Sequence, residues 1–314
     1  MPNRARFLAT AAVLLALAAV PPLAAAFGQP FYLDLVRRIM IFAIAALSLN
    51  LILGYGGMVS FGHAAYLGIG AYAVGILAHH GIDNGFLQFA AAIAASAVVA
   101  LVIGAVSIRT SGVYFIMITL AFTQMLFYLG ISLEEYGGDD GMRLAARSQF
   151  LGILDLGSPT PFYYFVLAVL AGFLYLVHRL VNSRFGMVIR ATKSNEARTR
   201  AIGFSPYPYK LAAFVIAGAM CGVAGALLVN QTAYLTPEFM NWTRSGEIMF
   251  MVILGGIATL IGPVLGAAAL LLLEDLLAAW TTHWQIILGP ILVLVVLFTR
   301  RGLAGLLPGG GRDE

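Results

Sequence analysis

Residues 38–79 read RIMIFAIAALSLNLILGYGGMVSFGHAAYLGIGAYAVGILAH, and between Arg38 and His79 there is no Asp, Glu, Lys or Arg. A bilayer-spanning helix takes about 20 apolar residues, so this stretch is long enough for two spans. The break between them falls in Gly54-Tyr55-Gly56-Gly57 through Gly62, because glycine tolerates a sharp turn or an unwound helix. A water-facing surface cannot be built from such a run. The stretch therefore sets the fold class as all-α and membrane-embedded.

The rest of the chain agrees. Of 314 residues, 61% are hydrophobic and 10% are charged, with a mean hydropathy of +0.92. Soluble domains carry about 25% charged residues, so this composition excludes a soluble enzyme, a nucleic-acid binder and a disordered chain. Further uncharged runs are Phe86–Ile108 and Ser111–Leu133, divided by Arg109, then Phe162–Val177 and Leu211–Asn230. Three more spans fit between Glu247 and Thr299, broken at Gly262-Pro263 and around Trp280 to Trp284. The run Phe7–Phe27 follows Arg4 and Arg6. Ala24-Ala25-Ala26 offers it a signal-peptide cleavage site, but its length and the spans that follow favour an uncleaved helix. The expectation is a single transmembrane domain, 1–314, with about ten spans.

Charge orients the stack. The loop 179–210 carries Arg179, Arg184, Arg190, Lys193, Arg198, Arg200 and Lys210 against Glu196 alone, a net +6. The segment 134–155 carries Glu134, Glu135, Asp139, Asp140 and Asp155 against Arg143 and Arg147, a net −3. Basic loops stay on the cytoplasmic side. The first loop is thus expected inside and the second outside. Arg109, Arg300, Arg301 and both termini then fall inside. Arg37 and Arg38 violate the pattern at the outer end of a span.

Few residues carry chemistry. No G-x-x-x-x-G-K-[ST] motif surrounds either lysine, Lys193 or Lys210, and no His/Cys cluster suits a metal. Cys221 lies in an apolar stretch and reads as a small core residue. Glu274 and Asp275 are placed at the outer interface, and His63 beside the glycine break reads as a turn or packing residue. Ionisable residues within spans mark proton or ion routes; their scarcity argues against an ion-coupled carrier, and Asn50, Ser60, Thr119, Thr123, Gln124 and Asn230 are polar but uncharged. Small residues spaced by four, Gly218/Gly222/Ala226 and Ala258/Gly262/Gly266, read as tight helix packing. The break Leu53–Gly62 resembles the stretch Leu254–Gly262, which is compatible with an internal repeat. Asn50, Gly54, Gly57, Gly62, His63, Gly255, Gly256 and Gly262 are the candidates for a helix break or translocation path.

The basic loop has apolar residues at roughly helical spacing and Gly203 suited to a C-terminal cap. It reads either as a solvated basic loop or as a short surface helix for docking another protein. Here the sequence becomes recognisable. Arg184-Phe185-Gly186, Ile189-Arg190-Ala191, Asn195-Glu196-Ala197, Ala201-Ile202-Gly203 and Tyr209-Lys210-Leu211-Ala212-Ala213-Phe214 closely resemble the cytoplasmic loop of branched-chain amino acid ABC transporter permeases. Leu49-Asn50-Leu51 through Gly70-Ala71-Tyr72, Gly112-Val113-Tyr114-Phe115 with Thr119-Leu120-Ala121-Phe122, and Leu254-Gly255-Gly256-Ile257 with Gly262-Pro263-Val264-Leu265-Gly266-Ala267 are similar to further stretches of that family. Gly62-His63-Ala64-Ala65 resembles the LivM-type subunit more than its sister permease.

The resemblance implies a membrane subunit of a binding-protein-dependent importer that performs no covalent chemistry and carries no cofactor. Its implied partners are two cytoplasmic ABC ATPases, a second permease, and a periplasmic or surface-tethered binding protein, all at a lipid membrane. Arg190, Glu196, Ala197, Ala201 and Gly203 match the region that docks into the ATPase. The departure from the usual Glu-Ala-Ala pattern (Glu196-Ala197-Arg198, with a late glycine) makes position the main support for docking. Related permeases carry urea or short amides, so that cargo is the first alternative, and an ion-coupled carrier or channel is the second.

Overall fold

The computed structural model describes residues 2–28, 30–144, 146–150, 154–298 and 302–306. Helices α1 (Pro2–Ala18) and α2 (Val20–Phe27) come first, then α3 (Pro30–Asn50), which continues into one π-helical turn, Leu51–Tyr55. Next are α4 (His63–His79), α5 (Gly85–Ser107), α6 (Val113–Ser132) and α7 (Pro159–Val181). Two short helices, α8 (Arg184–Ser194) and α9 (Glu196–Ala201), lead to α10 (Pro206–Thr232). The last three are α11 (Trp242–Gly255), α12 (Gly262–Trp280) and α13 (Trp284–Phe298). Among the described residues strands are limited to two-residue pairs: β1 (Met142–Arg143) with β4 (Tyr234–Leu235), and β2 (Gln149–Phe150) with β3 (Leu154–Asp155). The fold is an all-α helical membrane protein.

Among the described residues, six stretches are long and apolar enough to cross a bilayer: Phe31–Tyr55, Gly85–Ser107, Val113–Ser132, Pro159–Val181, Pro206–Thr232 and Gly262–Trp280. The other expected spans take shorter forms. Helix α11 has 14 residues and α4 has 17, about 21 and 26 Å at 1.5 Å per residue, against a hydrocarbon core of about 30 Å. Each is preceded by chain that is not α-helical: 56–62 before α4, and 233–241, which includes a 3-10 turn at Pro237–Met240, before α11. The first apolar run is likewise divided, where Pro21 and Pro22 cannot donate to the carbonyls four residues back. Those carbonyls, Leu17 O and Ala18 O, instead accept from the Tyr163 and Tyr164 hydroxyls of α7, at 2.7 and 3.4 Å. The expectations for Arg300, Arg301 and the chain ends lie outside the described residues.

Helices α3 and α10 form the centre. The apolar window of α3 is 89% buried and that of α10 is 78%, whereas α5, α6 and α7 bury 22–28% and leave their remaining faces for lipid or a partner. In lipid, helices associate through close packing rather than through a hydrophobic drive. Gly222 of α10 shows this: a Cβ there would lie 3.0 Å from Ala92 O and collide with Ser96 of α5. The spacing Gly218/Gly222/Ala226 is indeed a packing seam. The spacing Ala258/Gly262/Gly266 is not one helical stripe, because Ala258 sits in the non-helical turn between α11 and α12 at φ 61°.

The two charge-marked segments lie at opposite ends of the bundle. Helix α10 joins them: Lys210 in its second turn pairs with Glu196, and Asn230 near its other end accepts from Ser148 N–H at 2.8 Å. Arg37 lies at the Ser148 end, only 4% exposed. Its guanidinium donates to Asp34, Gln231 and Pro159 O, and stacks 4.6 Å from the Phe162 ring centre. Arg38 lies 3.7 Å from Glu274. The apparent violation of charge placement is therefore a set of locally neutralised pairs.

Candidate functional site

Helix α3 ends in a π turn because of what crosses it. The Asn50 carboxamide is fully buried; its Nδ2 donates to Thr259 O at 2.8 Å, and its Oδ1 accepts from Ala258 N–H at 3.0 Å. The first glycine-rich break is thus fastened to the second. Gly54 permits the approach: a Cβ there would lie 2.7 Å from Ala258 N and nearer still to Asn50 Oδ1. Just past the π turn Met58 N–H reaches back to Ile52 O at 2.9 Å. The Gly54 carbonyl is taken by a third element: Lys193 Nζ, from the last turn of α8, donates to it at 2.7 Å.

Beyond the π turn, non-helical chain climbs into the bundle. Irregular backbone at membrane depth is tolerated only where protein satisfies its polar groups, and here hydroxyls do so. Phe61 N–H donates to Thr119 Oγ1 and Phe61 O accepts from Thr123 Oγ1, both at 3.2 Å. Ala64 N–H donates to Ser245 Oγ of α11 at 2.9 Å, and Gly62 N–H to Ser60 Oγ at 3.1 Å. Helix α4 consequently starts deep in the bundle, its first carbonyl, His63 O, level with Cys221 near the middle of α10. His63 Nε2 lies 2.8 Å from Ser48 Oγ, whose own proton goes to Ala45 O. That fixes Nε2–H as the donor and leaves Nδ1 without a hydrogen-bond partner, packed edge-on to Tyr66. Cys221 is buried, as its apolar setting suggests.

The expected site residues thus fall into three places. Asn50 and Gly54 meet the 256–261 turn, where Gly255 and Gly262 also abut. Gly57, at φ 69°, lies against the Lys193 side chain. Gly62 and His63 stand apart, at the inner start of α4. The loop residues Arg190, Glu196, Ala197, Ala201 and Gly203 lie in α8, in α9 and in the turn that follows α9.

The basic loop is two helices rather than one. Asn195 is extended (φ −159°, ψ 104°) and its Oδ1 accepts from Arg198 N–H at 2.9 Å, so it ends α8 and caps α9. Ser183 Oγ caps α8 at Gly186 N–H. At the far end Gly203, at φ 93°, donates to Arg200 O while Phe204 N–H donates to Thr199 O, the paired bonds of a Schellman cap. Glu196 is engaged within the chain: Lys210 Nζ lies 2.5 Å and Arg200 2.6 Å from its oxygens. The Lys210 hydrogen bond, with help from Arg200 and against partial burial, holds its carboxyl below the usual value. Val188, Ile189, Thr192 and Thr199 face inward. Outward stand Met187, Ile202 and Phe204, 52, 64 and 42% exposed, among Arg190, Ala197, Arg198 and Ala201.

Lys193 and Ser245 were not singled out in the sequence. A signal existed for the first: the chain has 18 basic residues but only two lysines, Lys193 and Lys210, and both make contacts within the chain.

Comparison with known proteins follows this geometry. The family described as "Branched-chain amino acid transport system / permease component" matches residues 31–297. The high-affinity branched-chain amino acid transport system permease protein LivM of Salmonella typhimurium is 27% identical over 296 residues, covering 86% of this chain and 69% of that protein, and LivM of Escherichia coli K12 matches equally. LivH of Escherichia coli K12 is 25% identical, covering 84% of this chain and 91% of that one. No solved structure matches significantly. The matched residues take in both breaks, the α8–α9 loop and all six long apolar helices, and the chain belongs to the family of permease components of branched-chain amino acid transport systems.

Proposed function

We propose that the chain is one membrane-spanning subunit of an ABC importer for branched-chain, hydrophobic amino acids, in a bacterial inner membrane. It pairs with a second, homologous permease, takes cargo from an external binding protein, and is driven by two cytoplasmic ATPases through alternating access. The α8–α9 loop faces the cytoplasm with both termini, and the ATPases engage it. The observation that carries this reading is that Met187 of α8 and Ile202 and Phe204 after α9 are exposed, as are Arg190 and Arg198. A solvated loop has no need to expose several large apolar side chains, whereas a docking surface does. Glu196 braces α9 against α10 through Lys210.

Cargo and energy source are tested together. Uptake of leucine, isoleucine and valine is expected to require the binding protein and ATP, and to survive collapse of the proton gradient while ATP is maintained. Uptake that stops with an uncoupler and continues without the ATPases refutes the reading. Uptake of urea or short amides in preference to leucine overturns the cargo and leaves the machine.

A further inference from the structure

Three segments far apart in sequence meet at one joint at the α8 end of the bundle. The π turn 51–55 presents the Gly54 carbonyl to Lys193 of α8, and Asn50, at the start of that turn, holds Ala258 and Thr259 between α11 and α12. Lys193 is a surface residue whose ammonium nonetheless reaches inward to a backbone oxygen, and its stem lies along Gly57. Leu51 and Tyr55 share a crevice with Phe185 and Ile189 of α8, so α8 also packs on the π turn. The paired hydrogen bonds of Asn50 fix the second break relative to the first. One ammonium therefore links α8 to both breaks.

We propose that Lys193 is a positioning residue that ties α8 to the two glycine-rich breaks, so that the loop, the α3–α4 break and the α11–α12 turn move as one body. The proposal rests on the reading that the α8–α9 loop receives the ATPase motion, and it names where that motion enters the membrane helices. A widened π turn suits the role: it leaves a carbonyl without its helical donor, and a charged donor makes a stronger hydrogen bond to it than a neutral one. Lysine suits it as well, since a flexible four-carbon stem ending in a point charge reaches one oxygen without needing a planar partner.

The tie is tested in the complete transporter, reconstituted with its ATPases and binding protein. Lys193→Met is expected to assemble and keep basal ATP hydrolysis but to lose at least tenfold in transport, with Lys193→Arg intermediate. A covalent replacement gives the sharper test. A Cβ on residue 57 would lie 3.6 Å from Lys193 Cβ, within the range a disulfide spans. In a Cys221→Ser background, Gly57→Cys/Lys193→Cys is expected to be inactive when reduced and to recover transport when oxidised. An oxidised pair that forms and blocks transport means that the joint must open, and overturns the proposal; so does a pair that fails to cross-link. Hydrogen exchange provides a readout independent of the ATPases, and it decides the matter should strain at residue 57 inactivate Gly57→Cys alone. Lys193→Met must raise exchange both at 53–59 and at 256–260, and a rise confined to α8 refutes the tie. Raised exchange at both breaks with unchanged transport upholds the tie and removes the loop from the coupling path.

Discussion

Asn50 offers the most direct measure of how the breaks are held. Asn50→Ala removes a buried carboxamide and strands two backbone groups, Ala258 N–H and Thr259 C=O. An unpaired buried polar group costs about 1–3 kcal/mol. Side-chain hydrogen bonds between membrane helices average nearer about 0.6 kcal/mol, because the groups find other partners. Here the stranded groups sit in a turn where Ala258 is already left-handed and has little freedom to re-pair, so a loss of about 2–4 kcal/mol is expected. Gly54→Ala attacks the same joint from the other side, since its methyl would occupy the space of the carboxamide; overpacking of this kind costs about 1–3 kcal/mol. Each change breaks one shared contact. The double variant should therefore cost less than the sum by at least about 1 kcal/mol. Reversible unfolding in mixed micelles, with both single variants and the double, measures this. Additivity to within about 0.5 kcal/mol would show that Asn50 and Gly54 act separately, and the reasoning about a fastened pair of breaks would fail.

Three further outcomes are expected. Gly203→Val forces a branched side chain into the left-handed cap at φ 93°, costing about 1–2 kcal/mol; hydrogen exchange should rise in α9 while the long helices stay protected, and unaltered α9 exchange refutes the cap. The lowered Glu196 carboxyl stabilises α9 above the ordinary carboxylate value of 4.5, and that contribution disappears as pH falls through the lowered value. Because the group is partly exposed, the brace is worth about 0.5–1 kcal/mol; α9 exchange, corrected for its intrinsic rate, should be flat from pH 7 to 5, rise below, and lose that step in Glu196→Gln. Reporter fusions at Asn195 should behave as cytoplasmic and those at Asp139 as external; the reverse result inverts the bundle and removes α8–α9 from the reach of any ATPase.

Much of the architecture is written in local pattern. The breaks at 54–62 and near Gly262 show themselves because glycine clusters interrupt runs without charge, and the structure places helix ends there. Gly203 as a helix stop follows from glycine after a periodic segment, and its positive φ agrees. The division of the loop at Asn195 was missed, although asparagine followed by a helical stretch is itself a capping signal. Hydropathy does not show that α4 and α11 are only 17 and 14 residues long, because it does not distinguish helix from irregular backbone whose polar groups are satisfied by neighbours. Thr119, Thr123 and Ser245 perform that service, and nothing near them in sequence reveals which backbone they face.

By itself the sequence determined the solvent, the helical class, the sites of the breaks and the separation of basic and acidic loops to opposite ends, since each depends on residues within a few turns of one another. Tertiary structure alone decided that Asn50 would meet Thr259 across 209 positions, that Lys193 would reach Gly54 across 139, and that α4 would begin in the interior. In lipid the apolar faces are nearly interchangeable as neighbours. The choice of partner is left to close backbone approach and to a few polar groups that must find one another, and those depend on the whole packed arrangement.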